Sequence, residues 1–457
     1  MISVQNHRLQ LNGNKGILPT VIALLFLSAC STTSKTSRGD RTIIQPNTPA
    51  VVTDNKAESE IKVDTIQWTE IDRARENGNS IEDWMLNKKD VYNISLMLPI
   101  EIDKSIDAQY SNPDSKLGRL LHYYAGTKLA LEQLEDEGIN INIDVYDAES
   151  GNYNRKLQDS RNTDAIIGPR DRDQLATTAN YGRNNNVPVI SPWLSSSKLA
   201  KENPYYIQLI PSVRDHYDRL VEHVKANYDD DQVFLLGRKL NRDRATMRYI
   251  QNAAAALEPN GSDFPFEELY LDEDSLKTGV EAYQKVFFED KTTVFILPNY
   301  SFSDDEDFVY NCVRKLSAEK GLNNVVLYGM PILLESDKVK FEHYNNLNMC
   351  IVRSSFVDKE DPVVKEFREM YFDAYNDFPS EEAYKGYDIM LFVGRSLYNY
   401  GTGFFEYLDR SKSDLIHTSF DVQAVYDPKD DAFKNIQYLQ NKHLYVLSFE
   451  DFKFRKN

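Results

Sequence analysis

The chain has 457 residues, 71 acidic against 53 basic, and a formal charge of −18. That length allows roughly two or three domains, and hydrophobic residues at 41% with aromatics at 12% describe a packed protein rather than a disordered one. The negative balance argues against nucleic acid and against charge-driven attachment to anionic lipid headgroups.

In chain order, residues 1–16 carry Arg8 and Lys15 without an acidic residue, and Ile17–Ala29 is an apolar run too short to span a bilayer. The run ends in Leu27-Ser28-Ala29-Cys30, which resembles the bacterial lipobox. In signals of that kind the leader, here 1–29, is cut before the cysteine, whose thiol and amine are then acylated. The resemblance implies a lipoprotein that begins at Cys30 and touches the membrane only through its anchor. Ser31 in the following position favours the outer membrane of a bacterial envelope, its periplasmic or surface face left open. The alternative is an ordinary signal peptide that happens to end at a cysteine. Residues 30–60 are rich in Ser, Thr, Lys, Asp and Asn and read as a flexible tether. Residues 61–90, with Trp68 and Trp84, read as a lead-in segment to the first lobe.

From Val91 strands and helices alternate. Val91–Leu98 is a strand stopped at Pro99. Lys116–Glu137 carries Leu117, Leu120, Leu121, Tyr124 and Leu134 at helical spacing and is closed by Gly138. Ile141–Tyr146 is the next strand. Asp164–Ile167 is a short apolar run stopped by Gly168-Pro169, and Val187–Ile190 is another stopped by Pro192. Between them Leu175, Ala176, Ala179 and Tyr181 mark a helix. A strand-helix-strand unit of this length is a parallel, right-handed crossover. Ligands of open parallel sheets sit outside the carboxyl ends of the strands, which places the turns at 168–172 and 191–197 beside a common crevice.

Tyr205–Ile210, ending at Pro211, leads into a second series. Helices are predicted over Asp215–Tyr228, Arg242–Leu257, Leu276–Glu289 and Asp304–Glu319, and strands over Gln232–Leu236, Phe266–Leu271, Thr293–Leu297, Val325–Tyr328 and Met349–Val352. The acidic first turn at Asp304 suits a helix N-terminus. Helices at Asp361–Asn376 and Glu381–Tyr400 follow, then strands at Val422–Tyr426 and His443–Phe449. Their late return implies that the chain crosses between two halves more than once. Cys312 and Cys350 are an even pair outside the cytoplasm, which invites a disulfide; their apolar surroundings equally suit two buried thiols.

This order of motifs resembles the type I periplasmic-binding-protein fold in its leucine/isoleucine/valine-binding branch. The resemblance rests on ISLMLPI at 94–100, YYAGTKLALEQLEDEGININIDVYDAES at 123–150, AIIGP at 165–169, VPVISPWLSSSKLAKENPYYIQLIPS at 187–212 and the closing helices at 363–397 with Gly386-Tyr387-Asp388. It is similar to envelope lipoproteins found behind LysM repeats, although no such repeat is present. It implies an α/β protein of two doubly wound, Rossmann-like lobes with a ligand cleft between them. Lobe I is then 91–205 with 357–420, lobe II is 212–352, and three crossing strands lie at 205–212, 352–357 and 420–449.

The resemblance also implies where a ligand would be held. A small hydroxyl residue after the Gly-Pro turn is replaced by Arg170-Asp171-Arg172. Arg172, with Arg170 beside it, is either a clamp for carboxylate or phosphate or a surface side chain paired with a nearby Asp. Ser195 falls at a second hydroxyl contact, with Ser191 and Ser196 near it. Trp193 replaces a small residue and either stacks on a planar or sugar-like ligand or fills the pocket. Tyr300 is a candidate aromatic of the cleft. The acid expected after Tyr-Gly is missing from Leu327-Tyr328-Gly329-Met330, which disfavours a free amino acid, since an unpaired buried ammonium is costly.

No nucleophile motif, metal-ligand spacing or phosphate loop appears, so no enzyme activity, metal or cofactor is expected. The expected function is capture of a small ligand for transport or sensing. The alternative is a regulatory lipoprotein whose partner is another envelope protein.

Overall fold

The structure, a computed structural model, describes residues 88–457 apart from 101–114, 150, 197–198, 200, 229–231, 258–265, 288–290, 411 and 428–434. The leader, Cys30, the tether and the lead-in segment up to residue 87 lie outside the described residues.

Strand β1 (Tyr92–Leu98) is buried along almost its whole length, Ser95 included, as a central strand of a parallel sheet covered on both faces is. It pairs in parallel with β2 (Ile141–Asp147) and β3 (Ala165–Ile167), and the sheet continues through β4 (Val189–Ser191) to β5 (Tyr206–Gln208). The helices between them are α1 (Lys116–Asp136), α2 (Tyr153–Asp159) and α3 (Arg172–Asn185). The second sheet is entered through α4 (Val213–Asn227), whose Ser212 and Asp215 form a reciprocal capping box. It runs through β6 (Gln232–Gly237), α5 (Asn241–Ala256), β7 (Glu267–Tyr270), α6 (Glu273–Lys277), β8 (Thr293–Leu297), α7 (Phe302–Glu319) and β9 (Val325–Gly329). Short helices α8 (Ile332–Glu335) and α9 (Phe341–Asn346) precede β10 (Cys350–Arg353).

The chain then returns to the first sheet with α10 (Pro362–Tyr375) and α11 (Glu381–Tyr400), followed by β11 (Lys412–Asp414), β12 (Ser419–Tyr426) and β13 (Ile436–Asn441). It ends in the second sheet with β14 (Tyr445–Glu450) and β15 (Lys453–Lys456). The sheet orders are β11-β12-β13-β5-β4-β3-β1-β2 and β15-β14-β10-β9-β8-β6-β7. The molecule therefore has two doubly wound lobes, each parallel at its centre with antiparallel strands at one edge. The backbone passes between sheets at Leu209–Ser212, Ser354–Asp361 and Lys442–Leu444.

Each lobe has its own core. In the first, α11 crosses α1 so closely that a Cβ on Gly126 would lie 1.9 Å from the Ala383 carbonyl oxygen, and one on Gly386 would lie 2.1 Å from that of Tyr123. Glycine at both points is what lets the two backbones touch.

Two features differ from the sequence expectation, and the choice left open for the two cysteines is decided. The helix predicted over Leu276–Glu289 is instead α6 plus a 3-10 turn at Gln284–Val286. Asp272 caps an earlier start by accepting from the Ser275 N–H at 2.9 Å. Glu319 then accepts from the backbone N–H groups of Ala282 and Tyr283, at 2.9 and 2.7 Å, donors that a continuous helix would use itself. Strand β13 was not foreseen, because Tyr438, Leu439, Gln440 and Asn441 are all buried and no polar-apolar alternation marks them. Finally, the disulfide between Cys312 and Cys350 is absent. Both are free, buried thiols in the core of lobe II, on α7 and β10, and burial pushes Cys350 up to about 12.

Candidate ligand cleft at the lobe junction

The two turns expected to border a crevice are neighbours, because Ile167 of β3 pairs with Ile190 of β4 and both strands end there. Gly168 has φ +91°, and a Cβ on it would lie 2.5 Å from the Met97 carbonyl oxygen. That same Cβ would lie 3.3 Å from Cζ3 of Trp193, whose ring packs on Tyr123 with centroids 5.0 Å apart. Trp193 is thus turned into lobe I and fills the space between α1 and the Gly168 turn.

The other candidates are placed around it. Ser191 is fully buried and its hydroxyl donates to the Leu194 carbonyl at 3.2 Å. Ser196 donates its N–H to Gln208 Oε1 at 2.9 Å, and Ser195 is exposed. Arg170 and Arg172 are exposed at the start of α3, which Asp171 caps through the N–H groups of Asp173 and Gln174, both at 3.0 Å. Tyr300 lies on lobe II and is 49% exposed.

None of these side chains lines the cavity at the lobe junction, which has a volume of about 170 Å³. Its walls come from two of the crossing segments and from the stretch leading into β12 of lobe I: Leu209 and Ile210, then Arg353, Ser354 and Ser355, then His417, Thr418 and Phe420. Glu381, Lys385 and Ile389 from α11, Pro331 and Glu335 at the two ends of α8, and Pro192 after β4 complete it. Glu381 is the electrostatic centre. Its Oε1 lies 2.6 Å from Arg353 Nη2, accepts from the Ser355 hydroxyl at 3.0 Å and faces His417 Nε2 at 3.5 Å. Crowding by the cleft walls pushes the Glu381 pKa up, but His417, Arg353 and Lys385 outweigh it and hold the carboxyl well below the usual range. Burial drives His417 the other way, below its ordinary value, against the pull of Glu381.

His417 is 3% exposed, and neither ring nitrogen makes a hydrogen bond. Asp388 fixes its position. This carboxylate, fully buried on α11, accepts from the N–H groups of Ile416, His417 and Thr418 at 3.3, 2.8 and 3.0 Å. Burial still raises Asp388 to about 7 against those three donors. Thr418 ties the loop to the second crossing by donating to the Ser354 carbonyl at 2.6 Å, and Phe356 N–H donates to the His417 carbonyl at 2.8 Å. Sequence reasoning missed Glu381 and His417. The one pointer was the Gly386-Tyr387-Asp388 motif, whose acid turns out to organise the loop carrying His417.

The matching edge of lobe II is closed by its own charges. Arg238, 6% exposed after β6, meets Asp243 at 2.9 Å and also Asp305 and, at 3.3 Å, Glu273. Arg242 adds contacts to Asp305 at 2.5 Å and Asp304 at 3.1 Å. Tyr300 borders this cluster together with Asn299. Arg238 and Arg242 are matched by Asp243 and Asp305, and Asp304 and Glu273 leave the cluster net acidic, so this edge offers no free cation to a ligand. Among the described residues no group of His, Cys, Asp and Glu is arranged for a metal ion, and no described helix is long and apolar enough to cross a membrane.

Comparison with known proteins agrees with this architecture. The family model described as the receptor family ligand binding region matches residues 126–261. No curated protein matches the chain significantly. A protein from Rhodospirillum rubrum, provisionally assigned as a branched-chain amino acid ABC transporter, superposes with a TM-score of 0.55 at 14% identity, over 80% of this chain and 100% of that one. A branched chain amino acid ABC transporter periplasmic ligand-binding protein from Burkholderia xenovorans gives 0.50 at 13% identity, over 80% and 94%. The C-domain of LpoA from Haemophilus influenzae, described as a regulator of PBP1A, gives 0.48 at 9% identity over 80% and 99%, too low to carry an argument. At these identities the likeness establishes the fold and nothing finer.

Proposed function

We propose that this chain, which has the type I periplasmic-binding-protein fold, is a lipid-anchored binding protein of the bacterial envelope that holds a small polar ligand where its lobes meet, for transport or sensing. The observation that carries this reading is His417. Buried ring nitrogens beside a cavity, Nδ1 without a partner and Nε2 with only the 3.5 Å approach of Glu381, are costly unless something in that cavity meets them. The neutral ring favoured by burial has one N–H to give and one lone pair to offer. Beside it, Arg353 and Lys385, paired at rest with Glu381 at 2.6 Å and Glu382 at 3.1 Å, have further donors for an anionic group, and Glu381, whose side chain is 51% exposed, suits a donor.

The cavity supports a compact ligand, since about 170 Å³ is below the range of roughly 300–1,000 Å³ typical of sites for drug-sized ligands. The ligand is therefore a small carboxylate, or a zwitterion without a bulky apolar side chain, clamped by movement of the lobes about the three crossings.

Thermal shift and calorimetry against small carboxylates and amino acids test this. A ligand at about a hundred times its Kd stabilises by about 2.7 kcal/mol and raises Tm measurably. That rise is expected to vanish in Arg353→Ala and in His417→Ala; a panel that shifts nothing sinks the reading. The anchor is tested separately by mass spectrometry of the membrane-bound protein, where an unmodified Cys30 would end it. A second reading, a protein-binding module without a small ligand, is favoured by the filling of lobe I by Trp193. It gains if Trp193→Ala opens the lobe I pocket and still no compound binds.

A further inference from the structure

Away from the cleft, a groove with a volume of about 860 Å³ lies on lobe I. It runs between α1 and α10, over α11, and reaches the end of β11 and the end of β15. Its floor is apolar, made by Leu129, Val364, Met370, Leu391, Leu415 and Ile416. Its rim is acidic: Glu132 and Asp136 on one wall, Glu366 and Asp373 on the other, Asp358 and Asp361 at the mouth, all exposed. Asp414 is a seventh carboxylate, against two cations, Arg395 and Lys456. Arg395 is already held by Glu137 at 2.5 Å, and Lys456 sits over the Tyr445 ring at 4.5 Å. The chain as a whole has 71 acids to 53 bases, so this rim is far more one-sided than the general surface.

We propose that this groove is a docking site for a basic peptide segment of a partner protein, with apolar side chains seated on the floor and Lys or Arg side chains on the rim. An apolar trough supplies affinity, and a rim of one sign supplies orientation and rejects acidic partners. The same rim repels an anionic membrane surface. The groove also backs onto the cleft, because Ile416 of its floor precedes His417 of the cleft wall in the loop that Asp388 holds. The proposal stands independently of the cleft reading and is tested on its own.

The probe is a fluorescent peptide alternating lysine with leucine and phenylalanine, titrated against the full chain by anisotropy. Two controls carry glutamate for lysine, or serine for the apolar residues. The lysine peptide is expected to bind, to weaken about tenfold or more between about 50 and 300 mM NaCl, and to bind at least about tenfold more weakly to a Glu132→Lys/Asp361→Lys/Asp373→Lys variant. Ala374→Trp, which crowds the groove from an exposed lining position on α10 without changing charge, is expected to weaken it comparably and keeps the test open should the triple variant misfold. Binding of the glutamate or the serine peptide with equal affinity overturns the proposal. So does unchanged affinity in both variants.

Discussion

Gly168 shows how much a single position can carry. A side chain there meets both a left-handed backbone and the Met97 carbonyl oxygen at 2.5 Å. Gly168→Ala is expected to cost about 2 kcal/mol or more, read as a lowered Tm and a displaced Trp193 fluorescence maximum; an unchanged Tm would mean the turn relaxes freely. His443, in the third crossing, packs edge-on to Tyr445 with centroids 4.4 Å apart. Burial first, then Lys412, lowers its pKa to about 4. The folded state thus resists a proton that the unfolded chain accepts near pH 6.5, so this contribution to stability is whole above that pH and fades as pH falls toward 4. In His443→Gln the loss of Tm between pH 7 and pH 5 is expected to be smaller than in the parent. An identical loss would place the pH sensitivity in other buried histidines, such as His216.

Among the elements, α11 does most to join the site to the fold. Its first turn presents Glu381 to the cleft, Gly386 lets it touch α1, and Asp388 holds the loop that carries His417. Asp388→Ala strands three buried N–H groups, and about 3 kcal/mol of destabilisation is expected, seen as a lower urea midpoint with an unchanged m-value. Asp388→Asn probes charge instead. With a folded pKa of about 7 against about 3.9 in the unfolded chain, the native state holds an extra proton between those values, so this group's contribution falls as pH rises from about 4 to 7. The asparagine variant is expected to lose that slope, as calorimetry across the range would reveal. The sequence located α11 to the residue, because its apolar spacing is strong, yet nothing local in Ser380-Glu381-Glu382 distinguishes a cleft carboxylate from an ordinary helix N-terminus.

The whole molecule turns on the three crossings, and polar side chains clip two of them together. Asp215, at the start of lobe II, accepts from Gln440 Nε2 at 2.5 Å and pairs with Lys442 at 2.6 Å. Buried Asn441 donates to the carbonyls of Leu209 and Ser419. Asp215→Ala is expected to speed amide exchange at 209–216 and 440–444 while leaving the central strands of both sheets protected; uniform acceleration would instead mean global destabilisation. The resemblance of its motif order implied the two lobes, while the residues by themselves determined the alternation of strands and helices and the parallel crossover at 163–191. Those features are written in local periodicity and in Gly and Pro stops, which act on near neighbours. Only the tertiary structure decided that Trp193 packs inward on Tyr123, that Cys312 and Cys350 stay apart, and that Arg353, Glu381 and His417 form one cluster. The reason is physical: such contacts join segments up to more than two hundred residues apart, as Asp215 and Lys442 do, and depend on three-dimensional packing that no short window of residues encodes.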